Sequence, residues 1–213
     1  MKTTKLQTIA ITLAALQWLA PEAATQTPEE KGRAIAEEAD RQDFGWQDEA
    51  SELKMVLMNR SGEKSIRELS RQALESTEPG HGDKSIIVFD APRDIQGTAL
   101  LSHTRILEAD DQWLYLPALK RVKRISSGNK SGPFVGSEFA YEDLVSQEVE
   151  KYDYRWLRDE QCGELECAVV ERYPRYENSG YTRQVVWWDK AEYRIQRIEF
   201  YDRKDALLKT LTY

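Results

Sequence analysis

Thr182-Arg183-Gln184-Val185-Val186-Trp187-Trp188, Asp189-Lys190, Tyr193-Arg194-Ile195-Gln196-Arg197-Ile198-Glu199-Phe200-Tyr201 and the closing run from Ala206 to Tyr213 decide the fold class. Each apolar run is short, rich in β-branched and aromatic residues, and bounded by polar turn residues. No helix-length segment lies between them. They therefore read as strands of an antiparallel meander, and the same pattern extends backwards. Leu53, Met55 and Leu57 alternate with Lys54, Val56 and Met58, and Asn59 to Glu63, with Gly62, reads as a turn into a strand around Ile66 to Leu74. Further strand candidates are Ser85 to Phe89, Thr98 to Leu107, Gln112 to Leu116, Lys151 to Leu157 and Glu166 to Tyr173. Roughly nine strands joined mostly by short turns predict a large antiparallel sheet and not βαβ units. Such a sheet must bury one face or close on itself, because its edges are exposed hydrogen-bonding rows.

Two segments break the pattern. Thr27 is an N-cap candidate, Pro28 suits the first helical turn and Glu30 completes a capping box, predicting a helix from Pro28 to about Arg41 with Ile35, Ala36 and Ala39 on a thin apolar face. The second is Ser126 to Pro133, a Gly/Ser-rich stretch leading into Ser137 to Val145. Tyr141, Leu144 and Val145 share a helical face there, which predicts a short amphipathic helix on a flexible tether. It is equally readable as a plug at one end of the core or as a moving lid carrying Phe139, Tyr141 and Leu144.

Residues 1–24 read as a secretory signal peptide. Lys2 and Lys5 precede an apolar stretch from Ile9 to Ala20, and small residues follow up to Ala24. The stretch is short of the ~20 apolar residues that span a bilayer, so no stable membrane span is expected. Residues 25–213 are then expected to form a single exported domain. The chain carries 30 basic and 37 acidic residues, a net of −7, which argues against general nucleic-acid binding. An exported chain with only Cys162 and Cys167, separated by a Gly-containing segment, points to a disulfide across a tight hairpin.

Catalytic chemistry is scarce. There is no Gly-x-Ser-x-Gly elbow, no His-Glu-x-x-His and no phosphate loop, so no catalytic residue, metal or cofactor is assigned. His81 sits in a Pro-Gly-rich turn and His103 in a strand. What stands out is the aromatic content and a basic cluster, Lys120, Arg121, Lys123, Arg124 and Lys130, in an otherwise acidic chain. Such a run is most simply a solvated loop or strand edge, though its position beside the tethered segment also suits an anionic headgroup or an acidic partner.

Asp111-Gln112-Trp113-Leu114-Tyr115-Leu116-Pro117-Ala118-Leu119-Lys120-Arg121-Val122-Lys123-Arg124-Ile125, followed by Gly136-Ser137-Glu138-Phe139-Ala140-Tyr141-Glu142-Asp143-Leu144, resembles the outer-membrane lipoprotein-sorting protein family. These are relatives of the periplasmic lipoprotein carrier LolA, often found beside exporters of the RND type. The Asp43-Phe44-Gly45-Trp46 turn and the Cys162-to-Cys167 segment fit as well, so the resemblance spans residues 28–213. It implies a mainly β fold with some α: an unclosed antiparallel half-barrel whose concave face is covered by helices. It also implies a non-enzymatic periplasmic carrier or chaperone that shelters the acyl chains of a lipoprotein or lipid. The alternative is an accessory or sensor subunit docking on an RND-type exporter. Strand alternation nominates Met55, Leu57, Ile87, Phe89, Leu114, Leu116 and Trp187 as the concave lining.

Overall fold

A computed structural model describes residues 26–213; the expected signal peptide lies outside the described residues. The N-terminal helix α1 spans Pro28–Asp43. Its start is the expected capping box: the Thr27 hydroxyl accepts from Glu30 N at 3.2 Å, and the Glu30 carboxylate accepts from Thr27 N at 2.8 Å. Ala36 is buried in the core, with Ile35 and Ala39 partly buried against it. Gly32 is buried too, and a Cβ there would lie 2.7 Å from Trp156 N. A glycine is what allows the helix backbone to sit directly on a strand.

Eleven strands follow in two antiparallel sheets. The first holds β1 (Asp48–Met58), β2 (Lys64–Leu74), β3 (His81–Ala91), β4 (Ala99–Arg105), β5 (Asp111–Leu116) and β6 (Arg121–Ile125) in sequential order. The second holds β7 (Tyr152–Cys162), β8 (Leu165–Pro174), β9 (Tyr181–Asp189), β10 (Ile195–Asp202) and β11 (Leu207–Thr212), also neighbour to neighbour. Neither sheet closes into a barrel, so the expected unclosed antiparallel architecture holds. Strand β6 goes beyond the expectation. Only Ile125 is buried among its five residues, because backbone pairing with β5 holds an edge strand without an apolar face.

Each sheet buries one face in its own cluster. On the first, Leu69, Ile87, Phe89, Leu100, Leu114 and Ile125 converge. On the second, Tyr154, Val170, Val186, Trp188, Ile198 and Phe200 form one cluster with Ala36 of α1, which packs on β7. The central strands β8 and β9 are buried on both faces. Their other face carries Cys167, Val169, Val185 and Trp187, shielded by stacked guanidinium groups: Arg197 lies 3.7 Å over Trp187 and Arg183 lies 3.5 Å over Tyr201. At the turn of the β7–β8 hairpin, Cys162 and Cys167 are joined in a disulfide with a Cα–Cα distance of 5.9 Å, around Gly163 at φ 64°. Among the described residues no helix is long and apolar enough to cross a membrane.

Candidate functional site

The connection from β6 to β7 contains the expected tether and helix, and its structure differs from both expectations. Residues 126–146 form a strap with two separate 3-10 turns, Ser127–Asn129 and Tyr141–Leu144, and no α-helix. Non-helical hydrogen bonds within the strap replace the helical ones. Pro133 bridges to Ala140, Phe134 N donates to Phe139 O at 2.6 Å, and Gly136 turns the chain at φ 74°. The Gly/Ser-rich part is tied down as well: Tyr141 N donates to Gly132 O and Glu142 N to Lys130 O.

The strap roofs the first sheet. Phe134 is fully buried, 5.5 Å from Phe89 and 5.9 Å from Tyr141 between ring centroids. Phe139, Tyr141 and Leu144 pack on the same cluster. Of the nominated lining residues, Met55, Ile87, Phe89, Leu114 and Leu116 meet here. Leu57 is half-buried on β1 and outside this cluster. Trp187 is placed elsewhere, on the outer face of the second sheet, where its indole donates to Glu160. Alternation on β9 separates Val186 and Trp188 from Val185 and Trp187, and sequence alone does not say which pair faces inwards.

Polar anchors pin the strap to both sheets. On the first, Gln112 Nε2 donates to Ser102 Oγ at 3.1 Å and to Tyr141 O at 3.0 Å, and Ser146 N donates to Thr104 Oγ1 at 3.2 Å. On the second, the buried Glu142 carboxylate accepts from Gly180 N at 2.7 Å, Ser179 Oγ at 2.8 Å and the Tyr176 hydroxyl at 3.2 Å. A Cβ on Gly180 would sit 2.8 Å from that carboxylate, so the close approach requires glycine. Asp143 accepts from the Tyr181 hydroxyl at 2.7 Å and pairs with Lys209. Buried Lys130 lies 3.9 Å over the Tyr176 ring. Burial raises the Glu142 pKa, outweighing the donors from Gly180 and Ser179, and burial lowers that of Lys130. Lys130, grouped by sequence with the solvated basic cluster, is instead buried in the strap, and sequence reading passed over Glu142, because no local signal marks a carboxylate that will be met by donors 34 to 38 residues away.

Where the strap meets the β10–β11 hairpin, an open cleft of about 360 Å³ remains. Pro133, Phe139, Tyr181 and Leu208 give it apolar walls, and Arg203 and Lys204 stand at it. No group of three or more His, Cys, Asp or Glu side chains arranged to hold a metal ion occurs among the described residues.

A crystal structure of an outer membrane lipoprotein-sorting protein domain from Vibrio parahaemolyticus is 56% identical to this chain, with a TM-score of 0.84, covering 87% of this chain and 77% of that one. The chain belongs to the outer membrane lipoprotein-sorting protein family. A DUF1329 family protein from Desulfovibrio piger is 34% identical over 87% of this chain and 78% of that one, with a TM-score of 0.82. A family model described as an uncharacterized protein matches residues 81–213. A LolA superfamily protein from Nitrosomonas europaea, 22% identical over 85% of this chain and 76% of that one, shares the fold at a TM-score of 0.64. No curated protein matches the chain. In this member of the family the fold thus combines two unclosed sheets with a non-helical strap that spans them.

Proposed function

We propose that the protein is a periplasmic, non-catalytic carrier that shelters an acyl chain of a lipoprotein or lipid. The cleft between the strap and the β10–β11 hairpin carries this reading. Phe139 lines this cleft on one side and packs on the first-sheet cluster on the other, so it links the cleft to the apolar interior. Each methylene taken out of water contributes ~0.8 kcal/mol, so a long acyl chain supplies enough free energy to displace a short roof. In this reading residues 126–146 are the lid and Phe139, Tyr141 and Leu144 its apolar underside. Met55, Ile87, Phe89, Leu114 and Leu116 are the floor uncovered when it lifts. Family membership supports the same role, and removal of a signal peptide delivers the protein to the periplasm.

Native mass spectrometry of protein purified from the periplasm without detergent tests this directly. Co-purified lipid or acylated peptide in the parent, and none in a variant whose strap is tied to the first sheet by an engineered disulfide, is the expected result. Protein that carries no lipid, and takes none from added vesicles or acylated peptide, refutes the carrier reading.

A further inference from the structure

All three turns at one end of the first sheet share an unusual surface. The register Ser70–Val88–Ala99–Tyr115–Val122 runs across β2 to β6, and beyond it lie the β1–β2, β3–β4 and β5–β6 connections. Arg60, Lys64, Arg93, Lys120, Arg121 and Lys123 all sit at this end, and none forms an ion pair or side-chain hydrogen bond among the described residues. Four carboxylates, Glu63, Glu68, Asp90 and Asp94, share the end, with Glu68 facing Lys54 across β1 and β2, and the end remains basic in a chain of net charge −7. Residues 117–124 hold four basic side chains and no acid, and only Arg124 is neutralised, by Asp111.

Large aliphatic side chains stand among these cations. Leu119 is 64% exposed, Val122 63% and Met58 66%. Charge on the edge strand β6 is accounted for by protection against edge-to-edge pairing. That account does not extend to the exposed aliphatic residues beside it. Cationic side chains interleaved with protruding apolar ones, set on separate turns instead of in a contiguous groove, suit a surface that demands no shape complementarity. The interface of an anionic bilayer is such a surface: phosphates meet the cations while aliphatic tips enter the headgroup boundary. We propose that this end of the first sheet docks the protein on an anionic lipid bilayer. Arg67, on the same end of β2, donates to Val135 O, so the strap lies against the docking end. The proposal is independent of whether the cleft loads an acyl chain.

Co-sedimentation with vesicles tests it. The full chain should pellet with phosphatidylglycerol-containing vesicles at low salt, pellet far less at high salt, and ignore pure phosphatidylcholine. Each basic side chain near an anionic surface strengthens binding about fivefold, so Lys120→Glu with Arg121→Glu and Lys123→Glu should weaken partitioning about a hundredfold or more. Lys84→Glu, at the opposite end of the sheet, should change it far less. Leu119→Ser with Val122→Ser should bind at low salt but become more salt-sensitive than the parent. A milder triple change to Gln, with an unchanged melting curve, serves if the Glu variant does not fold. Failure of the parent to pellet with anionic vesicles overturns the proposal, leaving an acidic protein surface as the occupant; so does a folded triple variant that pellets as well as the parent.

Discussion

Truncating Glu142 is the sharpest perturbation of the strap. Three donors converge on its carboxylate: Gly180 N at 2.7 Å, Ser179 Oγ at 2.8 Å and the Tyr176 hydroxyl at 3.2 Å. Hydrogen bonds to a charged group contribute about 1.5–3 kcal/mol each, and the donors left behind are partly buried. Glu142→Ala should therefore cost about 3–5 kcal/mol, the range for breaking a buried charged network from one side. Glu142→Gln keeps the shape and one carbonyl for Gly180 N, and the two hydroxyls can rotate to accept from the new amide. It should cost about 1–2 kcal/mol. If the strap opens as its own unit, hydrogen exchange of amides in residues 126–146 should accelerate at least about a hundredfold in the Ala variant and about tenfold in the Gln variant. Amides of β8 and β9 should be unaffected. Uniform acceleration of strap and central strands together would refute the latch, because the strap would then open only with the whole fold.

The same residue predicts a pH dependence whose sign is opposite to that of an ordinary paired carboxylate. Burial raises the Glu142 pKa in the closed strap, so closing takes up a proton between the ordinary carboxylate value and the raised one. The closed strap is relatively favoured below that window and loses that advantage as pH rises through it. Strap exchange, corrected for intrinsic rates, should slow on acidification in the parent, and that part of the dependence should be missing in Glu142→Gln.

Gly32→Ala should destabilise the protein although glycine is a poor helix residue. The propensity gain of about 1 kcal/mol is opposed by a Cβ 2.7 Å from Trp156 N, and overpacking costs about 1–3 kcal/mol. A melting temperature a few degrees lower is expected, and a rise would refute the close-packing account. Leu208→Glu, at a 57% exposed wall of the cleft, should leave the melting temperature within a degree or two while weakening acyl uptake; loss of both together would make Leu208 plain packing. Replacing Cys162 and Cys167 by Ser should cost only about 2 kcal/mol, since the bond closes a loop with a sequence separation of 5. Chemical denaturation with and without reductant measures it.

Local signals settled much of this architecture. The capping box at Thr27 and Glu30 started α1 where expected, since a cap is a contact between residues three apart. Alternating apolar runs located most strands, and the short polar turns between them made neighbours in sequence neighbours in the sheet. The Cys162–Cys167 bond was legible from close spacing and the absence of other cysteines. Strand β6 was hidden because an edge strand needs only backbone partners, and its charged side chains look like a loop. The strap was misread for the opposite reason. Tyr141, Leu144 and Val145 carry helical periodicity, but Gly180, Ser179 and Tyr176 capture Glu142, and Gln112 captures Tyr141 O, so tertiary bonds outcompete a helix too short to hold itself. Trp187 shows the remaining limit: alternation tells which residues share a face, but only the covering elements, α1 inside and the arginines outside, decide which face is the interior.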